Sequence, residues 1–156
     1  MHKSDTPSIS LPDEAATAAF AARLAQVLRP GMVIGLRGNL GAGKTTIARS
    51  LLRALGYAGR VKSPTYTLLE QYEIGALHLC HFDLYRFRDK TEWNATGFHD
   101  EFNGRNICLI EWPENAEGLL PAADIELLLK MAPQGRTLEL RANTTLGTEC
   151  LDSLQN

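Results

Sequence analysis

Hydrophobic positions along the chain change their period several times, and each change marks an element. Residues 10–28, "SLPDEAATAAFAARLAQVL", place Ala16, Phe20, Leu24, Val27 and Leu28 on one face at helical spacing. Ser10 is positioned to cap this helix, with Pro12 in its first turn, and Arg29-Pro30-Gly31 ends it. "MVIGLRG" is short, mostly apolar and closed by glycine, as in a buried strand. Helical spacing returns over 44–55, where Ile47, Ala48, Leu51, Leu52 and Leu55 share a side ahead of Gly56. "SPTYTLLEQYE" predicts a loop entering a strand, and "ALHLCHFDLYRF" an apolar strand that turns polar at its end. "NICLIEW" predicts a third buried strand stopped by Pro113, and "DIELLLKM" and "RTLELRA" flank "APQG" as a hairpin. Residues 89–104 are polar and mixed, helix plus loop. Residues 1–9 and 143–156 have weak patterns and are expected to be flexible, the latter fraying or forming a short helix.

Strands alternating with helices imply a sheet with a parallel core, made mixed by the terminal hairpin. A chain of 156 residues has room for one domain with a real core and little for a second, so residues 1–156 are read as a single domain. The formal net charge of -2 argues against a strongly basic nucleic-acid footprint, and DNA is not an expected partner. No signal peptide and no membrane-spanning run is visible, so no membrane partner is expected. Cys80, Cys108 and Cys150 are odd in number and widely spaced, which favours buried thiols over disulfides and a cytoplasmic location.

The chemistry starts at residues 38–46, "GNLGAGKTT". Gly38, Gly43, Lys44 and Thr45 satisfy G-x-x-x-x-G-K-[ST], with an apolar strand before and an amphipathic helix after. Glycines let the backbone curl so that successive N–H groups point at phosphate oxygens, and the helix N-terminus faces the same anion. The cradle comprises Gly38, Asn39, Leu40, Gly41, Ala42, Gly43, Lys44, Thr45 and Thr46. Lys44 reaches the terminal phosphates, and the Thr45 hydroxyl suits a magnesium ion bridging the last two. The fold class follows: a P-loop NTPase-type three-layer α/β sandwich. The cofactors are ATP and Mg2+, with ATP favoured because the N-K-x-D segment that reads guanine is missing.

A P-loop needs a carboxylate on a neighbouring strand. Leu77, Leu79, His81 and Asp83 share one face of their strand, and Ile107, Leu109 and Glu111 share one face of theirs. Each acid falls at the strand's carboxyl end, where ligands bind in open parallel sheets. Asp83 is assigned to the magnesium shell, and Glu111 either shares that role or orients the attacking water. His78, Cys80 and His81 invite a zinc reading. Alternation separates His81 from the other two, and no second ligand pair has matching spacing, so packing is favoured there. Arg86 is the one cationic candidate close to Asp83, to touch a phosphate or to pair with an acid. Trp112 either stacks on a base or fills the core, with packing favoured. In "KSPTYT", Pro64 stiffens a loop whose hydroxyls, Ser63, Thr65 and Thr67, suit a γ-phosphate switch as well as a plain strand entry.

"GNLGAGKTT", "SPTYTL", "HFDLYR" and "EWPE", in this order and at these intervals, resemble the TsaE (YjeE) family of bacterial ATPases of tRNA threonylcarbamoyladenosine biosynthesis. The resemblance spans roughly residues 10–135. It implies a small ATPase required for threonylcarbamoylation of adenosine 37 in tRNAs reading codons that begin with A. It implies two partners, the threonylcarbamoyl transferase subunit and that subunit's inactive paralogue, with hydrolysis resetting their complex and any tRNA contact made through it. By position it matches Thr45, Asp83 and Glu111 to magnesium and hydrolysis, residues 63–67 to a switch-like loop, and Trp112 to the tryptophan after the acid. Asn39 stands where the family often has aspartate, and 87–104 match only loosely. Two other functions share the scaffold: a small-molecule kinase, and a nucleotide-gated binding module without significant hydrolysis.

Overall fold

In the computed structural model, which describes residues 7–39 and 41–155, seven strands form one sheet in the order β1-β7-β6-β2-β5-β4-β3. The strands are β1 (Ser8–Leu11), β2 (Val33–Arg37), β3 (Leu69–Ile74), β4 (Leu77–Asp83), β5 (Ile107–Glu111), β6 (Ile125–Met131) and β7 (Arg136–Ala142). The helices are α1 (Glu14–Val27), α2 (Lys44–Ala54), α3 (Trp93–Thr96) and α4 (Thr145–Gln155). The four central strands, β6, β2, β5 and β4, run parallel, and both sheet edges are extended by antiparallel pairing. β5 inserts between β4 and β2, so the carboxyl ends of these three strands lie side by side.

The sheet separates two apolar cores. On one face α1, α2 and α4 bury Phe20, Leu24, Ile47, Leu51 and Leu154 against Ile34, Leu79, Leu109 and Leu127. The other face is covered between β4 and β6 by short turns: α3 and three 3₁₀ segments at Lys90–Glu92, Phe98–Glu101 and Pro113–Ala116. The polar stretch 89–104 holds its place through an aromatic cluster in which Phe82 packs on Phe98 and Phe102, and Trp93 on Phe87 and Phe98.

Two expectations at the chain ends are corrected. Ser10 does not cap α1. It pairs with Thr137 in β1, an edge strand that Pro12 terminates, and Asp13 is the cap, accepting from the Ala16 amide at 2.9 Å. Ser8 and Ile9, expected in a flexible segment, are therefore strand, and the Pro7 carbonyl accepts from the Leu140 amide at 2.9 Å; residues 1–6 of that segment lie outside the described residues. At the other end, of the two expected outcomes, the short helix is the one found: residues 145–155 form α4, because Cys150, Leu151 and Leu154 complete the core against α1 and β7. The three cysteines are free and buried, and among the described residues no helix is long and apolar enough to cross a membrane.

Candidate functional site

The loop between β2 and α2 turns through glycines. Gly38, Gly41 and Gly43 have φ of 147°, 83° and 106°, in the left-handed region where other residues are strained. A Cβ on Gly38 would lie 2.7 Å from the Leu129 carbonyl oxygen, so the loop's approach to β6 requires glycine there. A Cβ on Gly41 would meet nothing within 4 Å, which leaves that side of the loop open to a ligand. The Asn39 carbonyl accepts from the Ala42 amide at 3.0 Å, closing the turn. Leu40 lies outside the described residues. Arg136, on β7, braces the loop from behind: its Nε and Nη2 donate to the carbonyls of Ala42 and Gly41 at 2.8 and 3.1 Å.

Lys44 opens α2 and is nearly buried, not exposed as its place after a glycine loop suggests. Its Nζ donates to the Gly38 carbonyl at 2.6 Å and lies 3.4 Å from the centre of the Trp112 ring. Burial pushes its pKa below the ordinary lysine value, against the opposing pull of Glu111, Glu114 and Asp83. Trp112 reaches this position because its backbone is left-handed, with φ of 57°, directly after β5. It packs on Tyr85, with ring centres 5.0 Å apart, and, half-buried against the second apolar core, forms the floor beneath the lysine.

Both acids stand where alternation put them. Asp83 and Glu111 are register partners on β4 and β5, and both are buried. The Thr45 hydroxyl donates to the Glu111 carboxylate, 3.1 and 3.2 Å from its two oxygens. Asp83 Oδ1 accepts from the Tyr85 amide at 3.0 Å. Burial raises the Asp83 pKa, the Tyr85 hydrogen bond opposes that, and the neighbouring Glu111 adds to the rise. The sequence reading did not include His81 in the site. Its Nε2 lies 2.7 Å from Glu111 Oε2, while its buried Nδ1 has no partner among the described residues. A proton on Nδ1 would be stranded, so Nε2 carries it and donates to the carboxylate.

Two cavities flank the loop. One, of about 320 Å³, is lined by Gly41, Gly43, Lys44, Thr45, Thr65, Asp83, Tyr85, Arg86, Glu111 and Trp112. The other, of about 180 Å³, lies behind Gly43 and Thr46, between the start of α1 and the β6–β7 turn, with Asp13, Thr17 and Arg136 in its wall. Of the residues named from sequence, Gly41, Gly43, Lys44, Thr45, Thr65, Asp83, Glu111 and Trp112 thus converge on the first cavity and Thr46 faces the second, while Gly38, Asn39 and Ala42 line neither. Asp13, Thr17 and Arg136 had no sequence signal, since they come from elements read only as structure. Thr65 is held by Ser63, whose hydroxyl is 2.7 Å from its own, and the loop carrying them exposes Tyr66, on whose ring the Arg86 guanidinium sits at 4.9 Å.

The donor set Thr45, Asp83 and Glu111 is all oxygen, hard and clustered beside a curled amide loop, which fits magnesium on a triphosphate. A family profile described as threonylcarbamoyl adenosine biosynthesis protein TsaE matches residues 11–138. The chain belongs to the TsaE family. Its relatives include a tRNA threonylcarbamoyladenosine biosynthesis protein TsaE from Haemophilus influenzae, 42% identical over 151 residues, covering 94% of this chain and 96% of the relative. The protein of the same name from Bacillus subtilis is 39% identical over 116 residues, 74% of this chain and 72% of its own. In three dimensions the TsaE chain described here matches the crystal structure of Bacillus subtilis YdiB with a TM-score of 0.80 at 28% identity, over 99% of this chain and 97% of that one.

Proposed function

We propose that this TsaE family member is a magnesium-dependent ATPase that serves threonylcarbamoylation of adenosine 37 in tRNA, acting on the transferase subunit and its inactive paralogue as a reset factor. The observation that carries the reading is the link from Thr45 at the head of α2 to Glu111 at the end of β5, at 3.1 Å, with Lys44 and Asp83 lining the same cavity. The names of the relatives supply the pathway.

The chain's own groups divide the work. Amides of the loop and the α2 N-terminus bind the phosphates, and Lys44 exchanges the Gly38 carbonyl and the Trp112 face for phosphate oxygens. By giving its proton to Glu111, Thr45 turns its oxygen lone pairs toward the cavity. Thr45, Asp83 and Glu111 are the residues that would hold magnesium, whose charge, when bound, offsets that of the last two phosphates. Glu111 either shares that shell fully or orients the attacking water. The second cavity, sharing Gly43 with the first, receives the nucleoside. Arg86, parked on Tyr66, is the cis candidate for charge on the transferring phosphoryl group.

The test is tRNA threonylcarbamoylation by the reconstituted transferase pair. With this chain and ATP, product should exceed one equivalent of enzyme. With a Lys44→Ala chain, or a non-hydrolysable ATP analogue at the reset step, it should stop near one. Equal multiple turnover without this chain would overturn the reading.

A further inference from the structure

The amino end of β4 carries a second group of metal-binding side chains, on the sheet face opposite the nucleotide site. His78 and Cys80 alternate with Leu79 and His81, and Cys80 belongs to the core on the far face. The 3₁₀ segment Phe98–Glu101 folds across that face and delivers Glu101. One ligating atom each from His78, Cys80 and Glu101 lie within 4.8 Å of one another. Cys80 Sγ donates to Glu101 Oε1 at 3.5 Å, and Asn106 Nδ2 donates to the same oxygen at 3.2 Å. Cys108, the register partner of Cys80 on β5, donates from Sγ to the Glu101 carbonyl at 3.6 Å.

We propose that His78, Cys80 and Glu101 form a binding site for a zinc-class divalent cation, with Cys108 as the fourth donor. The set of nitrogen, sulfur and carboxylate oxygen is the one zinc selects. Glu101 is a half-buried carboxylate facing thiols, and it has no ion-pair partner among the described residues, so a cation there meets an existing charge. The orientation of His78 is already arranged. Its Nδ1 bonds the Glu73 carboxylate, the outer-shell partner that fixes a metal-binding imidazole. Its Nε2 lies 2.7 Å from Gln71 Oε1, an acceptor, so Nε2 donates there, and the cation takes the place of that hydrogen. Tetrahedral zinc, with bonds of about 2.0–2.3 Å, needs donors about 3.5 Å apart. The three donors must therefore close by up to about 1.3 Å, and the half-buried His78, one residue into its strand, can make that move. Binding releases the Cys80 and Cys108 thiol protons and the His78 Nε2 proton to solvent.

This site is separate from the phosphate site. His78 lies five residues up the strand from Asp83, roughly 16 Å away at strand rise, and on the other face. The sequence showed no second ligand pair because Glu101 is supplied by 89–104, whose path only the fold reveals.

The probe is Co2+ titrated into the full-length, metal-stripped chain, read by sulfur-to-cobalt charge-transfer absorption. One equivalent should saturate the band, and Zn2+ should bleach it. Cys80→Ser combined with Cys108→Ser should abolish it, His78→Ala should weaken binding by about 10-fold or more, and Thr45→Ala should leave it unchanged. Because Cys80 is in the core, a second readout guards against misfolding: Zn2+ should raise the melting temperature of the wild type and not that of His78→Ala, a change at the strand end. Absence of the band, its survival in the double cysteine variant, or equal zinc shifts in wild type and His78→Ala would overturn the proposal.

Discussion

His81 donates from Nε2 to the Glu111 carboxylate at 2.7 Å, and the same carboxylate takes the Thr45 hydroxyl. A buried imidazole on β4 thus sets the carboxylate on β5 that sets the hydroxyl at the head of α2. Replacing His81 by Phe fills the volume and leaves a buried carboxylate short of one donor, which costs about 1–3 kcal/mol. The variant should melt lower than wild type and lose kcat more than ATP affinity. His81→Gln, whose amide can donate to Glu111, should recover part of both. Equal kcat in His81→Phe and wild type would show that Glu111 does not need this donor.

Lys44→Met tests the buried lysine with its sign worked out. The folded-state pKa of Lys44 lies below 10.5, so at neutral pH the folded chain carries a charge that burial disfavours. That disadvantage shrinks as pH rises from the folded pKa toward 10.5. Lys44→Met should therefore melt at or above wild type at pH 7, and its advantage should narrow toward pH 10. ATP affinity should fall by roughly 10–100-fold, the range of a lost charge-assisted contact. Melting curves at the two pH values and ATP calorimetry measure all three.

Asp83→Asn keeps the acceptor for the Tyr85 amide and removes a buried charge. The folded pKa of Asp83 is raised above 3.8, so folded-state stability falls as pH rises from 3.8 through the folded value and stays lower at neutral pH. The Asn variant should melt above wild type at pH 7, with the difference vanishing below pH 3.8. Phosphate release should drop by about 10²-fold or more, since Asp83 belongs to the magnesium donor set. A variant that melts lower at pH 7 would place Asp83 in a supporting role.

Arg136→Ala should weaken ATP binding with no residue of the P-loop altered. Arg136 holds the carbonyls of Ala42 and Gly41, and without it the loop loses two braces. Amide exchange over residues 41–43 should quicken in the nucleotide-free chain. Unchanged exchange and unchanged ATP affinity would remove the bracing role.

Much of this was legible in the chain, for physical reasons that differ by element. The phosphate loop is local: strand, glycines, lysine and helix follow one another, so spacing alone defines it. Asp83 and Glu111 were legible because period-two alternation carries apolar positions to a polar strand end. His81 was on the same face in that reading, yet its partner is 30 residues away, and only the parallel pairing of β4 with β5 shows the contact. Ser10 was misread as a cap because its hydroxyl suits both roles; the partner strand that decides between them, β7, lies at the other end of the chain. Arg136 carries no motif, and a register-dependent contact with a loop some 90 residues earlier leaves no local trace.

The loop at 62–67 links the site to the outside. Thr65 lines the phosphate cavity, while Tyr66 is exposed and holds Arg86 on its ring. Amide exchange over these residues should differ between ADP and a non-hydrolysable ATP analogue, because a γ-phosphate attracts both Thr65 and Arg86. Identical exchange in the two states would remove the switch.

The central claim, a magnesium-ATP site completed by partners, is tested most directly by steady-state phosphate release. The assay compares the pure chain, the chain with the transferase subunit and its paralogue, and Thr45→Ala and Arg86→Ala in both settings. Slow release by the pure chain, a marked rise with the partners, and loss of both in Thr45→Ala are the predicted results. Fast release by the chain alone, unaffected by partners and lost in Arg86→Ala, would show a site complete in one chain; release that survives Thr45→Ala would contradict the site itself.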